Sequence, residues 1–259
     1  MLGKTKNIGK KMPITPPDFS SMEPRFRQIF SELRDEITSG KLTEHTALSS
    51  ERVVAERYSV SRMTARRALE TLEAEGLVYS EGRRGRFVSP QRLTYDISKM
   101  VSFAADAKAR GIELKIELID AKLTLANSKI SQLLKIPLAE PLYEYTRLFK
   151  IKNHAIFLET EFVIAERFQG FLHHDLRQST TQLLIQHYDT SAHMGDIVIR
   201  MRGVRSSEAG PLGLAANQAG IELEQVICDE TGKPFCFGMQ IWRGELAEFS
   251  ARAILNHHD

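Results

Sequence analysis

The sequence predicts an α+β protein in two parts, and three observations carry that prediction. Near the N-terminus, apolar residues recur at helical spacing in three short segments, which two β-like runs then follow. The remainder alternates short helices with strands bounded by turn residues. Within that remainder a helix–hairpin unit occurs twice, about 79 residues apart, with Asn153 matching Gly232 and Ala155 matching Pro234. Such a unit predicts an antiparallel sheet covered by helices.

Residues 1–24 carry Lys4, Lys6, Lys10 and Lys11 with four prolines and little apolar periodicity, and read as a flexible basic tail. Phe26, Ile29, Phe30, Leu33 and Ile37 then predict a helix that Gly40 stops. Ser49 or Ser50 caps a second helix running to about Tyr58. After the tight Ser59-Val60 connection, Ser61 caps a third, with Ala65, Ala68, Leu69 and Leu72 inward and Gly76 at its end. Leu77–Ser80 and Arg86–Ser89 form a hairpin around a Gly-Arg-Arg-Gly tip. The polar stretch from Gln91 to Lys99 reads as a linker, so the expected division is 25–90, 91–99 and 100–256. In the last part "NSKISQLLKI", "STTQLLIQHY" and the Pro- and Gly-interrupted "SSEAGPLGLAA" are helices. "PLYEYTRLFKIKNHAIFLETEFV" folds as two strands about Lys152-Asn153, "AHMGDIVIRMRGV" as one long strand, and "IELEQVICDETGKPFCFGMQIWRG" as two about Gly232.

Charge is distributed unevenly. Residues 25–92 hold 13 Lys/Arg against 10 Asp/Glu, and residues 93–259 hold 18 against 21. The first part can meet a polyanion; the second is not built to. In the third helix Arg62 and Arg66 are i and i+4 and share a face opposite Ala65, Leu69 and Leu72, at the positive end of the helix dipole. A helix, a tight connection and a helix with basic and hydroxyl residues at its start make a helix-turn-helix, whose second helix enters the DNA major groove. Arginine suits guanine because its planar fork donates two hydrogen bonds to O6 and N7. Ser61 and Thr64 can reach phosphates or bases, Arg52 a backbone phosphate, and Arg83, Arg84 and Arg86 the next groove, with Gly85 allowing close backbone approach. The bland alternative, a solvated helix paired with Glu70, Glu73 and Glu75, places those acids toward the other end.

Residues 25–89 resemble the winged-helix domain of the GntR family of bacterial transcription regulators. The resemblance is carried by "LSSERVVAERYSVSRMTARRALETLEAEGLVYSEGRRGRFV". It implies that Arg52, Arg62, Thr64 and Arg66 contact DNA, with Gly85 and its neighbour Arg86 at the wing. Ser49 stands where proline is usual, Arg86 where threonine is usual, and the wing tip is one residue longer. Residues 100–256 resemble the UTRA effector domain of the HutC-type subfamily, a fold shared with chorismate lyase, through "VSFAADAKARG", "RLFKIKNHAIFLE", "HHDLRQSTTQLLIQHY" and "DETGKPFCFGMQIWRG". That resemblance implies an effector pocket holding Arg147, Phe149, Glu159 and Ser179, with Ser102 at a helix start suited to an anion and Cys236 in the last hairpin. Members that bind sugar phosphates use arginines at both positions held here by Arg147 and Phe149. One arginine beside a phenylalanine points to an anionic or amphipathic ligand; the plainer role for Arg147 is a salt bridge to Glu159 or Glu144.

The function so implied is a ligand-responsive repressor. It is a homodimer that binds an inverted-repeat operator in double-stranded DNA and is released by a small metabolite. A constitutive DNA-binding dimer, and a lyase-like enzyme fused to a DNA-binding domain, are the competing readings. No nucleophile elbow, P-loop or dinucleotide motif is present, so neither catalysis nor a cofactor is expected. His173-His174-Asp175 lacks a third ligand and reads as a loop rather than a metal site. Cys228 and Cys236 are the only cysteines, which fits a reducing cytoplasm. No apolar run long enough to span a membrane and no signal-peptide core occur.

Overall fold

The computed structural model describes residues 24–81, 84–90, 92–99 and 102–252. The basic tail up to residue 23 and Arg83 of the wing tip lie outside the described residues.

Three helices open the chain: α1 (Pro24–Thr38), α2 (Glu51–Tyr58) and α3 (Arg62–Ala74). Ser50 and Ser61 cap α2 and α3 by accepting the amides of Val53 and Thr64. Between them Ser59 turns through the left-handed region at φ 52°, which sets α3 across α2 with only three residues between the helices. Phe30, Leu33, Val54, Ala65, Leu69 and Leu72 close a small core. Strands β1 (Val78–Ser80) and β2 (Arg86–Val88) pair antiparallel as the wing.

The stretch read as a linker is not irregular. It contains β3 (Leu93–Asp96), which pairs in parallel with β10 (Ala247–Ser250), and a 3-10 turn at Ile97–Lys99. Its alternation is too short to show in the sequence, and its partner lies some 150 residues away. Tyr95 of β3 is buried against Phe103 and Trp242.

The large sheet comprises β4 (Leu114–Leu125), β5 (Pro141–Ile151), β6 (His154–Ile164), β7 (Met194–Gly203), β8 (Ala219–Cys228) and β9 (Pro234–Arg243). Its order is β4-β5-β6-β9-β8-β7, antiparallel throughout. Helices α5 (Ser128–Leu134) and α7 (Ser206–Leu212) follow β4 and β7. The repeat is therefore larger than the helix–hairpin unit: β4-α5-β5-β6 recurs as β7-α7-β8-β9. The two copies meet at the β6–β9 seam, where Thr160 faces Met239, its repeat mate. Helices α5 and α7 cover one sheet face, through Ile130, Leu134 and Phe237 and through Leu212 and Ile241. The other face is covered by α4 (Phe103–Ala109), packed on Phe157 and Trp242, and α6 (Thr180–Tyr188), packed on Tyr145 and Cys236. The edge strand β4, unread in the sequence, has no clean in–out alternation because much of it is solvated on both faces.

The wing and the large sheet share one seam. The Tyr79 hydroxyl lies 2.8 Å from His45 Nδ1 and 3.0 Å from His154 Nδ1 on the β5–β6 turn. Burial, and the neighbouring His154, hold His45 down at about 4, so it is neutral at pH 7. Arg243, wholly buried at the end of β9, lies 4.8 Å from the Tyr79 ring centroid. It donates 3.0 Å to the Ser80 carbonyl and 2.8 Å to Glu245, and lies 3.7 Å from Glu81. Removing one member of a buried charge cluster strands the others. Arg243→Ala is expected to cost about 3–5 kcal/mol in urea denaturation of the whole chain; a loss below about 1 kcal/mol would show that the seam contributes little.

Candidate nucleic-acid interface and ligand recess

The starts of α2 and α3 and the wing surround an open groove of about 930 Å³ lined by Arg52, Arg62, Arg84, Gly85 and Arg86, with Glu51. Arg62 is exposed and makes no ion pair or hydrogen bond among the described residues. Arg52 pairs with Glu56 and Arg66 with Glu70, both at 2.7 Å on exposed helix faces. Such exposed pairs hold their cations weakly and yield to a phosphate or a guanine. Ser61 and Thr64 bond each other at 3.0 Å while Ser61 caps the helix, so their hydroxyls stand at the tip of α3. Gly85 adopts φ +106°, a glycine conformation, with open space where a side chain would stand.

One arginine of the wing differs from expectation. Arg86 is turned back: it bonds Glu51 at 3.0 Å and Glu73 at 3.3 Å, tying the wing to α2 and α3 rather than reaching outward. Arg84 takes the outward position, 69% exposed, although it holds Glu81 at 2.7 Å. Arg67 lies over Phe26 and belongs to the α1–α3 contact. Met63, 63% exposed at the second position of α3, went unremarked in the sequence; it is an apolar tip suited to a thymine methyl.

On the second domain's inner face lies a recess of about 640 Å³, its open mouth included, between α4 and α6. Arg147, Phe149, Glu159, Ser102 and Ser179 all line it, and Cys236 does not. Cys236 is fully buried behind it, its thiol 3.7 Å from Glu161, and burial raises that thiol well above the ordinary range. Cys228 is buried too, and both are free thiols. Behind the recess wall Gly238 faces Glu161 on one side and Gln225 on the other, and a side chain there would crowd Gln225 at 3.2 Å. Residues not singled out from the sequence complete it: Glu161, two positions from Glu159 and so on the same face, with Thr180, Gln225 and Gln240, Tyr95 from β3 and Ile97 from the turn that follows it.

Arg147 spends every donor. Nε bonds Glu159 at 3.1 Å, and Nη1 bonds the carbonyls of Leu176 at 3.0 Å and Gln178 at 2.6 Å. Nη2 is shared among Glu159, Glu161 and Thr180. Burial pulls its pKa down, but the Glu159 and Glu161 carboxylates outweigh it and hold the guanidinium above the ordinary arginine value. The salt bridge to Glu159 weighed as the plainer role is thus present, but within the recess wall. Arg147 has no donor left for an anionic ligand, which corrects that expectation. Glu161 also accepts from Tyr145 at 2.7 Å and from Thr180 at the start of α6, so that helix end already faces an anion. The Glu159 carboxyl is pushed up to about 7 by burial, against the pull of Arg147 and with the push of Glu161.

Comparison with known proteins now decides the family. A model described as the UTRA domain matches residues 109–248, and one described as bacterial regulatory proteins, gntR family, matches residues 26–88. The chain belongs to the gntR family. Its UTRA domain covers more than half of its length. Over 244 residues it is 27% identical to the HTH-type transcriptional repressor NagR of Bacillus subtilis, covering 94% of this chain and 96% of that one. Over 137 residues it is 28% identical to the mannosyl-D-glycerate transport/metabolism system repressor MngR of Escherichia coli, 53% of this chain and 57% of that one. The crystal structure of PhnF from Mycobacterium smegmatis superposes with a TM-score of 0.62 at 21% identity, over 88% of this chain and all of that one, which establishes the fold. As a gntR member with repressor relatives, the chain is a DNA-binding regulator of transcription and not an enzyme. Among the described residues no helix is long and apolar enough to cross a membrane.

The two arginines of the groove separate by experiment. Arg62→Ala is expected to weaken specific DNA binding by about 1–3 kcal/mol with the melting temperature unchanged. Arg86→Ala is expected to destabilise the fold by about 1 kcal/mol through loss of its two carboxylate partners. Calorimetric melting beside duplex titration reads both, and equal effects of both variants on DNA alone would contradict the assignment.

Glu159 gives a pH dependence. Its proton is held more tightly folded than unfolded, so its stabilising effect is full below the ordinary carboxylate range, near pH 4.5, and is lost as pH rises through about 7. Wild type should therefore lose stability relative to Glu159→Gln over that interval. Parallel denaturation curves at all pH values would contradict it.

Proposed function

We propose that this regulator is a repressor that binds an inverted-repeat operator in the cytoplasm as a homodimer and leaves it when a small metabolite enters the recess. The DNA-contacting set is Arg52, Arg62 and Arg66 with Ser61 and Thr64; the wing contributes Arg84 and the Gly85 backbone, and Arg86 supports it. The effector set is Phe149, Glu159, Ser102 and Ser179, with Arg147 holding the Glu159 carboxylate in place. The observation that carries the reading is the position of the recess: its wall includes Tyr95 and Ile97, from the short segment that joins wing to sheet. Tyr95 stacks on Trp242, and the next residue, Arg243, grips the wing at Ser80. A ligand that moves Tyr95 or Trp242 acts directly on what orients the DNA-binding head.

The switch is a population shift between two head arrangements, of which one matches the half-site spacing. Weakening repression tenfold needs about 1.4 kcal/mol of ligand preference, and full reversal about 5.5 kcal/mol. One recognition helix reads few base pairs, so useful specificity calls for two half-sites and two chains. The edge strands β4 and β7 support dimerisation, since Leu123, Leu125, Val198 and Met201 are 61%, 60%, 49% and 74% exposed there. The repressor names of NagR and MngR support the sign of the response.

Selection from random duplexes should return a two-fold symmetric site, and sedimentation should show a dimer with and without that duplex. A monomer on DNA, or an asymmetric single site, would overturn the proposal.

A further inference from the structure

The charged lining of the recess is Arg147, Glu159 and Glu161. With both carboxylates ionised it carries one uncompensated negative charge. Its other walls combine the aromatic side chains of Tyr95, Phe103, Phe149 and Phe157 with neutral polar groups such as Ser102, Ser179 and Gln225. An anion entering here meets two carboxylates and an arginine with no free donor; only neutral hydroxyls and amides are open to it, and a charged donor comes only by breaking a buried charge-assisted bond. A cation meets the reverse: unbalanced negative charge at the floor and aromatic faces at the sides, the pairing that recognises ammonium groups.

We propose that the metabolite taken by this recess is an amine, a cationic nitrogen on a small apolar body, with the nitrogen at Glu159 and the body among Phe103, Phe149 and Tyr95. The inference rests on the recess being the effector site. Glu159 is the contact rather than Glu161. Glu161 has Tyr145, Thr180 and Arg147 all on Oε2, while its Oε1 faces the Cys236 thiol behind the recess wall. Glu159 has Arg147 on one oxygen and the Gln240 amide, at 2.7 Å, on the other, leaving acceptor capacity on the second. Gln240 is itself held by the Trp242 indole at 2.8 Å, so a group arriving at Glu159 competes with a chain of bonds that ends beside Arg243. Ligand charge and head orientation thus meet in three residues of β9.

Proton exchange accompanies this. The titratable groups around Glu159 and its neighbour Glu161 are Arg147 and Tyr145 on β5, Cys236 on β9 and Tyr95 on β3. Of these, Tyr145, Tyr95 and Cys236 have raised values and stay neutral near pH 7. An amine that takes Glu159 in its ionised form therefore releases a proton and binds better as pH rises from about 6 to about 8.

The test uses the full chain and three probes of one shape: benzylamine, benzyl alcohol and benzoate. Calorimetric titration at millimolar concentration is expected to rank benzylamine first by about tenfold or more, with affinity rising with pH and heats that differ between buffers because a proton is released. Glu159→Gln should abolish that ranking while benzyl alcohol binds as before. Benzoate or benzyl alcohol binding best overturns the amine inference and leaves the recess as the effector site. Binding of none of the three also overturns it. The site itself is tested separately, by whether Phe149→Ala and Tyr95→Ala alter relief of operator binding by metabolite extract. A ranking unchanged in Glu159→Gln shows that the nitrogen is held elsewhere and contradicts the contact named here.

Discussion

A buried guanidinium joins the two halves of this chain. Arg243 stands at the end of the central strand β9 with no solvent exposure, and it reaches the Ser80 carbonyl of the wing, the Leu212 carbonyl of α7 and the Glu245 carboxylate. A charge so placed persists only because each donor has a partner, and those partners come from three separate elements. The wing therefore cannot swing freely from the sheet without exposing or stranding that charge. Tyr79, between two histidines and against the Arg243 guanidinium, fixes the same seam from the other side.

The ligand recess lies on the seam where the two halves of the sheet meet. Two β-α-β-β copies meet at β6 and β9. There Glu159 faces Gln240 and Glu161 faces Gly238, each pair swapping places under the repeat. The two copies have diverged at this seam: one supplies carboxylates, the other an amide and an absent side chain. Arg147 from β5 then links the carboxylates to the carbonyls before α6. The connecting strand β3 closes the side nearest the wing. Binding and transmission thus occupy neighbouring residues, and no long relay is needed.

Much of this was legible in the sequence. The three N-terminal helices, the wing and both hairpins were readable because each carries its own cap, turn or apolar period. Ser50, Ser61, Gly76 and Gly232 are local signals, and local signals suffice for local structure. The connecting strand was not legible, since β3 gains its meaning only from β10 and from Tyr95 packing on Trp242. The site residues divide in the same way. Arg62 and Arg86 look alike in the sequence, yet Glu51 and Glu73 converge on Arg86 from two other elements. Arg147 was imagined as free, and its saturation could not be read because it depends on carbonyls about thirty residues away. Glu161 could have been found from strand alternation beside Glu159, whereas the burial of Cys236 behind the recess could not.

The central claim is that β3 and its surroundings connect the DNA-binding head to the recess, and by reciprocity what the ligand does to DNA binding, DNA binding does to the recess. Amide hydrogen exchange of the full chain, with and without its operator duplex, reads this without knowledge of the ligand. The account predicts altered protection in α3 and the wing and also in β3, β10 and the end of β9, among them the Leu93 amide that bonds the Leu246 carbonyl. Changes confined to residues 24–88, with β3, β9 and β10 exchanging identically on and off DNA, would contradict it.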